Sequence, residues 1–251
     1  MRRSKQNGPR LNRHKDDDYA CIASASVRHS VAKAIDRRVL PAMIVAVFAS
    51  HEGTTLQAIL DACGRGVLDA RVGIVVSNNA DSGAIRRARA AGIAHVHLSG
   101  KTHPDAEALD RAILGAIEGA AADVIFLAGY MKKLGPLTLG QYAGRVFNTH
   151  PALLPRYGGK GMYGMNVHRA VLAAGEVESG ATVHLVDGGY DTGPIVAQRR
   201  VAVLPGDTPE TLAERVQACE RGLVVAFLGD IVQGKIALPA RGMRSGAVQG
   251  E

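Results

Sequence analysis

A chain of 251 residues, 47% hydrophobic and 21% charged, suits one α/β domain or two small ones, and with no Trp and few aromatics its core must be aliphatic. No apolar run reaches the roughly 18 residues that span a bilayer, the basic N-terminus lacks a secretory apolar stretch, and the scattered Cys21, Cys63 and Cys219 form neither a disulfide framework nor a metal cluster, so a cytoplasmic protein without membrane contact is expected. Of the net charge of +7, six lie in residues 1–41, which hold ten Lys/Arg and four Asp; a polar extension of that kind, not a folded face that reads bases, argues against a nucleic-acid partner.

In chain order, residues 1–41 read as a basic, flexible extension. A short amphipathic helix over 20–40 is expected within it, from Val27, Val31, Ile35 and Val39 at four-residue spacing before Pro41. The body, 42–240, opens with the buried strand MIVAVFA (43–49) and the helix TTLQAILDACGRG (54–66). Strand VGIVVS (72–77), basic helix SGAIRRARAAG (82–92), strand AHVHL (94–98) and helix PDAEALDRAILGAIEG (104–119) follow. Then come strand DVIFLAGY (123–130), short helix PLTLGQY (136–142) and strand RVFNTH (145–150). Near-continuous Val/Ile/Leu strands alternating with helices predict a doubly wound, mostly parallel twisted sheet covered on both faces.

The second half changes character. A glycine-rich loop, YGGKGMYGMN (157–166), leads to helix VHRAVLAAG (167–175), strand SGATVHLV (179–186), loop DGGYDTG (187–193) and strand PIVAQRRVAV (194–203). A long helix over 207–234 is expected, kinked near Gly222, with Asp207 as N-cap, Pro209 in its first turn and Glu210 three positions on. Residues 241–251 form a tail.

Three places could carry chemistry. In FASHEGTTLQ (48–57), Gly53 permits a tight turn and Thr54-Thr55 open a helix whose free N–H groups suit a phosphate; the turn matches neither dinucleotide nor triphosphate motifs, and a plain N-cap turn is the alternative. In NTHPALLP (148–155), Asn148 and His150 share a strand face, and Pro151 keeps His150 extended; a turn with a surface histidine is the alternative. Asp191, in DTGP, is either a turn former or, if the 145–150 and 179–186 strands run parallel and adjacent, a partner of Asn148 and His150 at one sheet edge. His184, among apolar neighbours, reads equally as a satisfied core histidine. No His or Cys spacing implies a metal.

The segments MIVAVFAS-x-x-GTTLQAI, DVIFLAGYMKKL, RVFNTHPALLPRYGG, GATVHLVDGGYDTGPIV and ERVQACE, in this order over about residues 43–238, closely resemble the glycinamide ribonucleotide formyltransferases, a folate-dependent family of purine biosynthesis. The resemblance implies a Rossmann-like formyltransferase fold and transfer of a formyl group from 10-formyltetrahydrofolate to the amine of glycinamide ribonucleotide, without a metal, in a monomer or homodimer acting on small molecules. By position it implies Asn148, His150 and Asp191 as catalytic, with His184 supporting them. It implies Gly53, Thr54 and Thr55 at the substrate phosphate, and Gln217 and Glu220 at the rest of that substrate. Met131, Lys132, Lys133, Leu134, Asp187, Gly188, Gly189 and Tyr190 would wall the folate pocket. Asn148 and a protonated His150 would donate to the oxyanion, with Asp191 favouring the imidazolium.

The chain departs from the family at Ser50-His51-Glu52-Gly53, where SG-x-G is usual, at Lys132 in place of Arg, and after Glu220, where a His and a Tyr-Pro are absent. Alternatives are another formyl transfer or hydrolysis enzyme of the same fold, or a silent folate- or nucleotide-binding module. A methionyl-tRNA formyltransferase is expected to add a basic C-terminal domain, and a formyltetrahydrofolate deformylase a regulatory domain ahead of the first strand.

Overall fold

The computed structural model describes residues 42–240; the helix expected over 20–40 and the tail 241–251 lie outside the described residues. Thirteen elements follow in order: β1 (Met43–Phe48), α1 (Thr54–Gly64), β2 (Ala70–Ser77), α2 (Gly83–Ala90), β3 (His95–His97), α3 (Ala106–Gly119), β4 (Val124–Leu127), α4 (Pro136–Gln141), β5 (Val146–His150), α5 (Met165–Ala173), β6 (Glu178–Leu185), β7 (Ile195–Ala202) and α6 (Pro209–Val232). The seven strands form one sheet in the order β3-β2-β1-β4-β5-β6-β7.

Every expected strand and helix within the described residues is present, displaced by a few residues at its ends. The first five strands are parallel, and alternate residues of each serve opposite faces. Val45, Val47, Phe126 and Phe147 pack with Leu56 and Ile59 of α1, Ala84 and Ala88 of α2, and Phe227 and Leu228 of α6. Ala46, Phe48, Ile125 and Val146 pack on the other face with Ile113 and Ile117 of α3 and with Tyr142. Such double-sided burial is why these strands read as unbroken apolar runs.

Three expectations change. β5 and β6 are adjacent but antiparallel, because β6 and β7 form a hairpin that adds to the edge of the parallel sheet. The N-cap of α6 is Thr208, whose hydroxyl accepts from Thr211 N–H while the Thr211 hydroxyl accepts from Thr208 N–H. Asp207 instead accepts from the Thr211 hydroxyl and takes Arg215 in a two-point ion pair at 2.6 and 2.9 Å. A longer-range guanidinium claims the carboxylate that local pattern assigns to the cap. α6 is also one unbroken helix through Gly222.

Phe48, Leu127, Asn148 and His184 occupy one register line across β1, β4, β5 and β6. The turns after β1 and β4 and the end of β5 therefore gather at one sheet edge, where open α/β sheets hold ligands. The turn after β4 is fixed from a distance. Asp110 of α3 is buried and accepts from Leu137 N–H (2.8 Å), Thr138 N–H (3.2 Å) and the Thr138 hydroxyl (2.6 Å). It thereby satisfies the first turn of α4, which has no side-chain cap of its own. Gly135 is required there, since a β-carbon would stand 2.1 Å from the Asp110 carboxylate. Asp110→Ala is expected to cost about 2–3 kcal/mol, because it orphans several buried donors, and Asp110→Asn less; urea unfolding of the two variants measures the difference.

Candidate active site

The end of β5 carries the polar groups in alternation. Asn148 and His150 share the face of Val146, which packs towards α3, while Thr149 points to the opposite face, towards α1 and α6. The segment beyond the strand is held by Thr182 of β6, whose hydroxyl donates to the Ala152 carbonyl at 2.6 Å and accepts from Leu154 N–H at 3.1 Å.

His184 lies directly across from Asn148. Its Nδ1–H donates to the Leu185 carbonyl at 2.8 Å, so Nε2 accepts from the Asn148 amide at 3.0 Å. One Asn148 N–H is thus committed, which orients the second. Asp191 folds back from the β6–β7 loop in a left-handed conformation (φ 56°) and completes the group. Its Oδ1 is 3.5 Å from His184 Nε2, its Oδ2 is 3.4 Å from His150 Nδ1, and Oδ2 also accepts from Gly159 N–H at 2.9 Å. The second nitrogen of His150, Nε2, donates to the Tyr157 carbonyl at 2.7 Å.

Charge follows from these contacts. Burial acts to raise the Asp191 pKa, but His184, His150 and the Gly159 N–H together outweigh it and hold the carboxyl below the usual carboxylate range. At His150, burial is the larger influence. It lowers the pKa below the usual 6.5, although Asp191 and the Tyr157 carbonyl pull the other way. Burial thus disfavours the imidazolium, and Asp191 is the neighbour that favours it. A neutral ring with its proton on Nε2 presents a lone pair at Nδ1, and a proton gained there turns the Asp191 contact into an ion pair. The group can accept a proton at Nδ1, where Asp191 meets it, and it leaves the second Asn148 N–H to donate to an oxygen at the strand end.

Across the sheet edge, Glu220 of α6 is half-buried. Burial raises its carboxyl pKa, while hydrogen bonds from Thr149 and Thr55 (2.9 Å) and the nearby Arg221 oppose the rise. Gln217, one turn earlier, is exposed. Gly53 caps α1 in the left-handed conformation (φ 69°), and a β-carbon there would meet Ala84 backbone at 2.9 Å, so the glycine is obligatory. Thr54 is exposed and Thr55 buried. His51 and Glu52 leave that turn intact: the Glu52 carboxylate faces Arg86 at 3.5 Å and its carbonyl accepts from Arg87.

The remaining residues divide. Lys133 Nζ donates to the Gly188 carbonyl at 2.7 Å and lies 4.2 Å over the Tyr190 ring, joining the two loops. Asp187 closes its loop on Gly189 N–H and the Thr192 hydroxyl. Met131, Lys132 and Tyr190 are exposed, whereas the Leu134 side chain is buried in the core beside Leu127 and is not available to a ligand. Sequence reasoning passed over three groups. Ser50 is buried; its hydroxyl donates to Asn78 Oδ1 and accepts from Met131 N–H, tying the first turn to the fourth. The Tyr157 carbonyl, at φ 58°, receives His150. His168 of α5 is buried, with no hydrogen-bond partner for Nδ1 among the described residues, and burial followed by the charge of His150 lowers its pKa. Only the Tyr-Gly-Gly run after Pro155 signals any of them. Among the described residues no group of His, Cys, Asp and Glu side chains is arranged to hold a metal ion.

The model of the formyl transferase domain matches residues 43–228. The chain belongs to the formyl transferase family. This formyltransferase is 37% identical over 196 residues to the phosphoribosylglycinamide formyltransferase of Escherichia coli, covering 78% of this chain and 90% of that one. It is 40% identical over 201 residues to the enzyme of the same name from Mycobacterium tuberculosis H37Rv, covering 80% and 90%. The crystal structure of glycinamide ribonucleotide transformylase 1 from Symbiobacterium toebii superposes with a TM-score of 0.72 at 35% identity, covering 80% of this chain and 93% of the other.

The geometry orders two proton affinities. Asp191 raises that of His150 against burial, so NMR titration should place the His150 imidazole below 6.5 in the wild type and lower still in Asp191→Asn. An upward move would show that Asp191 does not face the ring. Linkage gives the same sign for stability. Both groups stabilise the fold fully above about pH 6.5; His150 loses its share as pH falls through 6.5 towards its lowered value, and Asp191 as pH falls through its own.

Proposed function

We propose that this formyltransferase moves a formyl group from 10-formyltetrahydrofolate to the primary amine of glycinamide ribonucleotide. The observation that carries the reading is the linked group Asn148–His184–Asp191–His150 at the sheet edge, with Glu220 held by Thr149 and Thr55 on the opposite face. The amine lone pair attacks the formyl carbon. A C–N bond forms, and the carbonyl π pair moves to oxygen. The amine proton passes to N10 of the folate, the oxyanion pair re-forms the carbonyl, and the C–N10 bond breaks with its electrons on N10.

Each residue has a task in that sequence. The free N–H of Asn148 donates to the oxyanion, where one such donor is worth about 3–4 kcal/mol. His150 holds the proton in transit on Nδ1, with Asp191 stabilising its charged form. Glu220, held by Thr55 and Thr149, faces the amine, with Gln217 a turn away. The phosphate rests at the start of α1 on Gly53, Thr54 and Thr55. The folate lies between the Met131–Lys133 turn and the Asp187–Tyr190 loop. No helix among the described residues is long and apolar enough to cross a membrane.

A steady-state assay with the two substrates tests the reading; absence of formylated ribonucleotide, with folate hydrolysis instead, would favour a deformylase. In single-turnover formyl transfer, Asp191→Asn and His150→Ala are each expected to lose about 100-fold. The double variant should lose much less than the product, because both act on one proton path; multiplicative losses would mean they act independently. Separately, Glu220→Gln should weaken glycinamide ribonucleotide binding measured by calorimetry and leave folate binding nearly unchanged. A selective loss of folate affinity would reverse the assignment of the two substrate sides.

A further inference from the structure

The arginines of α1, α2 and α6 have no task in the chemistry above, yet they converge. The groove between α1 and α6, about 610 Å³, is lined by Thr54, Asp61, Arg65, Arg87, Arg221 and Gly222 among others. Its size is that of a small-molecule site. Arg65 follows the last turn of α1, Arg87 comes from α2 and Arg221 from α6, so three separate elements supply the guanidinium groups. A fourth lies beside them: Arg199 of β7 stands so close to Gly222 that a β-carbon there would meet its Nη1 at 2.9 Å. Asp61 is the one carboxylate lining the groove, and its Oδ1 already accepts from Gln57.

These charges are largely unspent. Among the described residues neither Arg65 nor Arg221 makes a side-chain hydrogen bond or close ion pair, although Arg221 lies near enough to Glu220 to lower its pKa. Arg87 uses Nε on the Glu52 carbonyl and Nη1 on Gln57, which leaves Nη2. With six of the seven net charges in residues 1–41, the remaining chain is nearly neutral. Gathering guanidinium groups at one groove of such a body costs mutual repulsion that a bound anion relieves. Planar guanidinium groups from different directions suit the several oxygens of a phosphate chain, each pairing with two. Thr54 lies at the end of the same groove, where α1 begins.

We propose that the α1–α6 groove binds an oligophosphate anion of the kind carried by nucleoside di- and triphosphates. Since the groove ends at Thr54, the occupant opposes the phosphate of the amine substrate, and inhibition is competitive with that substrate but not with the folate. That kinetic consequence rests on the function proposed above; the binding does not.

The test uses the full chain, titrated calorimetrically with sodium tripolyphosphate and, separately, with ATP, in 0.15 M salt to suppress nonspecific attraction. Saturable binding of one equivalent is expected, weakened at least tenfold in Arg65→Ala/Arg221→Ala and less in the double lysine variant, with unchanged thermal unfolding. Equal affinity for the two probes identifies the phosphate chain as the whole ligand; tighter ATP binding adds the nucleoside. No saturable binding at that salt overturns the proposal, as does binding that persists in the double alanine variant, since it then belongs elsewhere on the chain. A wild type that binds tripolyphosphate but forms no product would remove the enzymatic reading alone.

Discussion

A carboxylate withdrawn from water must be compensated by its neighbours, and at Asp191 that requirement organises the surroundings. Desolvation works against the charge, and it is outweighed only because two imidazoles and a backbone N–H converge on the group. Those partners come from β5, β6 and the glycine-rich loop, three segments that local sequence does not hold together. The left-handed backbone at Asp191 is the strained conformation that lets the side chain turn back towards them. Losing the carboxylate would release the loop at Gly159 and leave His150 buried beside no counter-charge.

The sheet distributes the remaining groups. Since successive strand residues face opposite sides, NTH at the end of β5 sends Asn148 and His150 to one layer and Thr149 to the other. Thr149 and Thr55 then hold Glu220, whose carboxyl burial has already pushed upward. Asp191 is kept below the usual carboxylate range beside His150, while Glu220, on the other face of the sheet, is drawn towards its protonated form. Environments that separate two like groups in this way assign them different proton tasks.

Much of this was legible along the chain. Alternation of buried apolar strands with amphipathic helices called for a doubly wound sheet, and every expected element in residues 42–240 is there. Asn148 and His150 stood out because strand periodicity places them on one face and Pro151 keeps them there. Asp191 was harder: an Asp before Thr-Gly-Pro is first a turn residue, and only a second strand beside β5 gives it company. The direction of that strand was not readable, because an antiparallel β6 presents the same residues in alternation as a parallel one. Likewise Asp207 has the local pattern of a helix cap, and its capture by Arg215 depends on how α6 lies against it.

The chain's own pattern settles the periodicities, hence the elements, the two-faced burial and the shared face of Asn148 and His150, because those depend on residues a few positions apart. It also determined the glycine at 53, the one residue type that accepts a left-handed turn packed against Ala84. Tertiary packing alone brings His184 and Asp191 to them, ties Ser50 to Met131, lets Asp110 cap α4, and brings Arg65, Arg87 and Arg221 to one groove. It alone decided the direction in which the His150 proton affinity moves, since the proton affinity of a buried ring is set by which charges and carbonyls surround it, and those arrive from segments distant in the chain.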